Sequence, residues 1–164
     1  MTATKGVFKK YINPVFVETG THYGLGIKQA LAEGFKKVFS IELDVQLCAR
    51  AIKMFENNPD VNILYGDSGV KLKEVLDQVN GPVTFWLDAH YGDTISPLLK
   101  ELEVIKSHKI KTHTILIDDL RDWKVDKIGF DTNVLKEKIL EINAAYKFTF
   151  EDGHIPNDIL AAKL

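Results

Sequence analysis

The feature that most constrains this chain is a repeated alternation. Short, apolar, often β-branched runs are separated by stretches whose apolar residues recur at helical spacing. Val15 to Glu18 (VFVE) predicts a first strand; Ile27, Ala30 and Leu31 then share one helical face, which Gly34 is placed to end. Val38 to Glu42 (VFSIE) predicts a second strand. Asp44 can cap the following helix, whose face is Leu47, Cys48, Ala51, Ile52 and Phe55, and Asn57-Asn58-Pro59 stops it. Val61 to Tyr65 is a third strand, followed by a helix with Leu72, Val75, Leu76 and Val79 and a break at Asn80-Gly81-Pro82. Val83 to Leu87 (VTFWL) is almost wholly apolar, as a strand covered on both faces should be. Ser96-Pro97 can open a helix carrying Leu98, Leu99, Leu102 and Ile105. Thr114 to Ile117 is a fifth strand, and Leu135, Ile139 and Ile142 mark a fifth helix. Strand–helix repeats of this kind build a parallel sheet with right-handed crossovers, an α/β architecture.

The rhythm changes at the end. Tyr146 to Glu151 (YKFTFE) alternates, Asp152 to Asp158 is turn-rich, and Ile159 to Leu164 is apolar again. Two strands joined by a loop with no intervening helix predict an antiparallel hairpin on the parallel sheet. At 164 residues, without linkers or internal repeats, the expectation is a single domain spanning 1–164. The formal net charge of −2 and lysines interleaved with acids give no basic stripe, which argues against nucleic acid. The cluster Lys106 to Lys111 reads as a solvated helix end. One cysteine, Cys48, sits inside an apolar helical pattern and reads as a buried thiol. With no apolar stretch of membrane-spanning length and no secretory signal pattern, a soluble, cytoplasmic protein is expected.

In an open parallel sheet, ligands bind beyond the carboxyl ends of the strands, where strand order reverses. The residues that follow each strand are therefore the informative ones. After the first comes Glu18-Thr19-Gly20-Thr21-His22-Tyr23-Gly24-Leu25-Gly26. Its glycines let the backbone turn tightly and approach a ligand, but their spacing is G-x-x-x-G-x-G rather than the G-x-G-x-x-G of a dinucleotide site. NAD is thereby disfavoured, and no Walker A lysine follows. After the second strand stands Glu42, a carboxylate able to accept both hydroxyls of a ribose. After the third come Gly66-Asp67-Ser68, where Asp67 and Ser68 can meet an adenine edge or cap the next helix.

Taken together, VFVETGTHYGLG, SIELD, YGDS, FWLDAHYG and the terminal hairpin resemble the class I S-adenosylmethionine-dependent methyltransferases over nearly the whole chain. The resemblance implies a Rossmann-like three-layer sandwich with a mostly parallel seven-stranded sheet and a C-terminal antiparallel hairpin. It implies that Glu18, Gly20, Gly24 and Gly26 hold the methionine part of S-adenosylmethionine, that Glu42 takes the ribose and that Asp67 lies beside the adenine. Thr21, His22, Ser68 and Asp88 complete the candidate cofactor wall.

Strand four ends in Asp88-Ala89-His90-Tyr91-Gly92 and strand five in Asp118-Asp119. Three carboxylates on one edge repel each other unless a cation sits among them, and Mg²⁺ suits oxygen ligands. LDAHY with LIDDL is similar to metal-dependent O-methyltransferases acting on sugar hydroxyls, which suggests Asp88, Asp118 and Asp119 as metal ligands. The plainer alternative is that Asp118 and Asp119 cap the next segment or pair with Arg121. His90 is the candidate general base, with Asp88 beside it in the catalytic set. Trp86 reads as core, Tyr91 and Trp123 as candidate pocket walls, and His154 as a residue that overhangs the site or faces water.

Only fourteen residues precede the first strand, so no N-terminal helical lid is expected. A small-molecule acceptor, a sugar foremost, would then be held by the loop from His90 to Ser96, the segment from Arg121 to Thr132, the terminal hairpin or a second subunit of a homo-oligomer. Two other readings stay open: a metal-free methyltransferase using His90, and a Rossmann-like binder of NAD or a nucleotide with other or no catalysis.

Overall fold

A computed structural model describes residues 3–90, 96–121 and 131–164. The strands are β1 (Val15–Thr19), β2 (Val38–Glu42), β3 (Val61–Tyr65), β4 (Val83–Leu87), β5 (Thr114–Ile117), β6 (Lys147–Glu151) and β7 (Ile159–Lys163). The helices are α1 (Leu25–Glu33), α2 (Val45–Met54), α3 (Ser68–Leu76), α4 (Leu98–Ser107) and α5 (Thr132–Ile142), and a 3₁₀ turn spans Phe8–Tyr11. The seven strands form one sheet in the order β3-β2-β1-β4-β5-β7-β6. β1 to β5 pair in parallel, while β7 runs antiparallel to both β5 and β6. The hairpin thus inserts its second strand between its first and the parallel body of the sheet.

The strands divide their side chains by period two between two apolar layers. Val17, Phe85, Leu87, Ile115 and Ile117 face the layer built with α3, α4 and α5. Phe16, Val38, Trp86 and Leu116 face the other, which α1 and residues 3–11 cover. Trp86 is fully buried there, edge-on to Phe8 at 4.9 Å. Each fully buried large aliphatic such as Ile139 on α5 contributes about 1.5–3 kcal/mol, which makes packing rather than helix propensity the main source of stability.

Local signals fix the helix ends. Gly34, at φ +113°, lets its N–H return to the carbonyls of Ala30 and Leu31 and closes α1. The Asp44 carboxylate accepts the Gln46 and Leu47 amides and opens α2. Cys48 is buried on α2, with burial and the nearby Glu42 charge holding its thiol pKa up. Ile52, expected on that buried face, is instead 51% exposed. α2 packs on β2 and on β3, one of the two edge strands.

Candidate functional site

Strand order reverses between β1 and β4, and the chain approaches itself closely at that point. A Cβ on Gly20 would lie 2.8 Å from the Asp88 carbonyl oxygen, and φ there is +82°, so only glycine fits. The Asp88 N–H donates to the Thr19 carbonyl at 3.2 Å, which continues the β1–β4 ladder one step past the strands. Above this junction opens a cavity of about 400 Å³. Its walls are the β1–α1 loop, the β2–α2 turn, the start of α3 and the ends of β4 and β5.

Of the candidate cofactor residues, Glu18, Gly20, Thr21, His22, Gly26, Glu42, Ser68 and Asp88 line this cavity, with His90 and Asp119 beside them. Gly24 and Asp67 do not. Gly24 stands at the N-terminus of α1 against Phe55 and Met54. Asp67 caps α3, its carboxylate accepting the Gly69 amide at 2.8 Å. Ser68 lines the cavity, yet its hydroxyl is sealed from solvent and turns inward.

The β1 side is held by a relay. Glu18 is 2% exposed, and its carboxyl accepts the Ser40 hydroxyl at 2.6 Å. Ser40 has then spent its proton, so Thr21 donates to it, also at 2.6 Å. A Cβ on Gly26 would fall 1.8 Å from Glu18 Oε1, so this glycine makes room for the acid. Burial pushes the Glu18 pKa up to about 8, against the Ser40 bond and with help from the Glu42 charge. Glu42 is fixed by backbone: Oε2 accepts the His22 amide at 2.7 Å and Oε1 the Asp44 amide at 2.9 Å. A carboxylate offers about four acceptor sites, so room remains for two ribose hydroxyls.

The β4–β5 side is different. Burial, then Asp118, Asp119 and Glu18, hold the Asp88 carboxyl well above its ordinary pKa. Asp118, 2% exposed, is pushed up to about 7 by burial and by Asp119. Asp119 pairs with Arg121 at 2.8 Å, the bond anticipated in the plainer alternative, and lies 3.8 Å from His90 Nε2. Arg121 also binds the buried Asp158 of the hairpin. The expected trio of Asp88, Asp118 and Asp119 falls into two overlapping sets whose ligand atoms lie within 4.8 Å of each other. One is Asp88, His90 and Asp119, the other Asp118, Asp119 and Asp158. Clustered carboxylate oxygens are the donors a hard divalent cation prefers, so the residues fit one.

Backbone strain points to the same place. His22 (φ +48°), Asp119 (φ +57°) and Asn157 (φ +58°) are the non-glycine residues at positive φ among those described, and the first two line the cavity. Such conformations cost about 1–3 kcal/mol and gather where geometry matters for ligands. Asp158 and Ser40 escaped the sequence reading; the Asn-Asp pair that ends the hairpin loop was the available signal for Asp158. His154 is exposed, although the loop's Gly153 lies against Asp118. Tyr91 and Trp123, and most of the two segments expected to hold the acceptor, lie outside the described residues.

The sheet and its flanking helices have the Rossmann-like fold of class I methyltransferases. Similar solved structures include a protein from Staphylococcus aureus assigned as a caffeoyl-CoA O-methyltransferase (TM-score 0.60, 13% identity, covering 95% of this chain and 77% of that one). Another is an S-adenosylhomocysteine-bound methyltransferase from Podospora anserina (TM-score 0.61, 14% identity, 92% and 71%). A third is human N-acetylserotonin methyltransferase in complex with S-adenosylmethionine (TM-score 0.60, 14% identity, 96% and 48%). At these identities the likeness is one of fold. No family model matches the sequence, and no curated protein matches it either.

Proposed function

We propose that this protein binds S-adenosylmethionine in the β1–β4 cavity and transfers its methyl group to a hydroxyl of a small molecule, a sugar being the first candidate. The observation that carries the reading is the acidic make-up of the wall, whose carboxyls can ionise against a bound cation. Glu18, Glu42, Asp44, Asp88 and Asp119 line the cavity, and no lysine or arginine does among the described residues. A cavity of this kind suits a ligand bearing a sulfonium and an ammonium, and opposes the pyrophosphate of NAD. The neighbouring structures that contain S-adenosylmethionine or S-adenosylhomocysteine support the same ligand.

In this reading Glu42 binds the ribose hydroxyls, and the glycine loop from Gly20 to Gly26 passes under the methionine part, with Thr21 and His22 beside it. Asp67 acts on the adenine side through the start of α3, which it caps, rather than from the cavity wall. The transfer forms an O–CH₃ bond and breaks the S–CH₃ bond, releasing the neutral thioether. The acceptor must also give up its hydroxyl proton, and His90, on the cavity wall 3.8 Å from Asp119, is placed to take it. Asp118 and Asp119 with Asp158 would hold Mg²⁺ while His90 serves as base; were Asp88 and Asp119 with His90 to hold it instead, the imidazole would be a ligand and the ion itself would acidify the hydroxyl. Such an ion lowers the pKa of a bound hydroxyl.

Calorimetric titration with S-adenosylmethionine, S-adenosylhomocysteine and NAD, each with and without Mg²⁺, tests the assignment. Micromolar binding of the sulfur ligands with no heat from NAD is expected. Preference for NAD, or silence toward both sulfur ligands, would overturn it.

A further inference from the structure

The sheet has two edges, and β6 forms the one at the hairpin end. Its register with β7 runs unbroken from Lys147 to Glu151, and no bulge, proline or glycine blunts it. Among the described residues its outer backbone groups meet no other backbone. Phe148 and Phe150 lie toward α5, where the Lys136 ammonium stands 5.8 Å and 5.1 Å from their ring centres, and Phe150 is 44% exposed. Lys147, Thr149 and Glu151 take the opposite face. There the Tyr11 hydroxyl meets Thr149 at 3.1 Å and donates to Glu151 at 2.7 Å, and Lys10 pairs with Glu151 at 2.6 Å.

This edge, Lys147-Phe148-Thr149-Phe150-Glu151, is complementary to itself when a second copy runs antiparallel beside it. A two-fold axis at Thr149 sets Lys147 against Glu151 of the second copy and Phe148 against its Phe150, and symmetry repeats both pairs. Opposite charges, and aromatic rings, attract when they stand directly across an antiparallel pair. Within the hairpin Lys147 stands opposite Lys163, a like-charge pair that an acid on its outer side would relieve. The bonds to Tyr11 and Lys10 leave the Glu151 carboxylate with acceptor sites to spare. The other edge does not match itself in this way. In β3 the same operation about Ile63 faces Asn62 with Leu64 and supplies no charge to fix a register. We propose that β6 is a docking edge for a second copy of this chain, joining two seven-stranded sheets across a two-fold axis at Thr149. The strand has only five residues, so association should be weak, with a Kd of about 10–100 µM.

Sedimentation velocity of the full chain from about 5 to 500 µM reads the association, and charge variants read its register. Lys147→Glu places acids opposite each other at both ends of the pair and should raise Kd about tenfold or more. Because Lys147 is exposed, its Tm should be that of wild type. Mixed with Glu151→Lys, it should associate more tightly than either variant alone, since charges match only in the mixed pair. Thr149→Cys should give a disulfide-linked dimer under mild oxidation, the native Cys48 being buried. Ile52→Cys, exposed beside the other edge, should not. A wild type that stays monomeric over the whole range would overturn the proposal. So would a Lys147→Glu variant that dimerises as wild type does, no gain on mixing, or cross-linking through Ile52→Cys but not Thr149→Cys. If Glu151→Lys, deprived of its Lys10 and Tyr11 bonds, does not fold, Lys147→Glu and Thr149→Cys decide the matter with the same outcomes.

Discussion

The two sides of the cavity handle negative charge in opposite ways. On the β1–β3 side the ionised carboxylates are answered by backbone amides, Glu42 by those of His22 and Asp44, Asp44 by the start of α2 and Asp67 by the start of α3. Glu18, with the Ser40 hydroxyl, holds its proton. On the β4–β5 side Asp88, Asp118 and Asp119 face one another, and Arg121 bridges Asp119 and Asp158. The first side is satisfied mainly by backbone amides; on the second the carboxyls crowd one another, and Asp88 and Asp118 hold their protons more tightly than usual. A site that must grip one cofactor and act on another molecule can divide the work in this way. In the proposed function the first side would bind the cofactor and the second would act on the acceptor.

The largest effect should therefore come from the reactive side without loss of binding. Asn tolerates the left-handed backbone of residue 119, so Asp119→Asn removes charge with little strain. Turnover on a methyl acceptor should fall by about 10²–10³-fold, the scale of losing one electrostatic partner of a transition state. S-adenosylhomocysteine affinity should stay within about threefold of wild type. Equal loss of both would erase the distinction between the two sides. Glu42→Ala makes the converse case. It releases two backbone amides and the ribose contact, and should weaken S-adenosylhomocysteine about 100-fold.

How much of this was legible beforehand follows the same division. The bounds of β2, β3, β4 and β5 are those read from the sequence, because each is a short apolar run punctuated by glycine, proline or a capping residue. The glycine loop and Glu42 were legible because strand ends are fixed by local pattern. Asp158 was not: it reaches Arg121 only because β7 inserts between β5 and β6, a pairing no local pattern announces. Glu101, buried on α4 between Leu98 and Ile105, was overlooked because an acid is not expected on an apolar helical face. Lys106 to Lys111, taken as a solvated helix end, also carries His108, whose Nδ1 lies 3.0 Å from Nε2 of the buried His113.

A smaller effect is expected from pH. In the folded, ligand-free chain Glu18 keeps its proton up to about pH 8 and Asp118 up to about pH 7, against ordinary values of 4.5 and 3.8. The folded state therefore binds more protons across this window. The stability these groups contribute is full below about pH 4 and is lost as pH rises through 7 and 8. Tm should fall by roughly 5 °C between pH 6.5 and 8.5. Glu18→Gln should flatten that decline, and an unchanged slope would contradict the assignment of its proton.

The opposite end of the sheet supplies the smallest effect and a control. His113 Nδ1 accepts the Val83 amide at 3.1 Å, so its own proton sits on Nε2, toward His108. Burial, reinforced by His108, lowers its pKa to about 4, so its contribution is lost as pH falls from 6.5 toward 4. ¹⁵N NMR should show one neutral tautomer of His113 from pH 8 down to 5. Protonation near pH 6.5 would refute the buried pair.

The most direct test of the divided site is to map amide shifts on titration with S-adenosylhomocysteine. The account predicts the largest changes at Gly20, His22, Leu43 and Ser68, with Arg121 and Asp158 little moved until Mg²⁺ or an acceptor is added. Shifts centred on Arg121 and Asp158, or the same pattern produced by NAD, would contradict it.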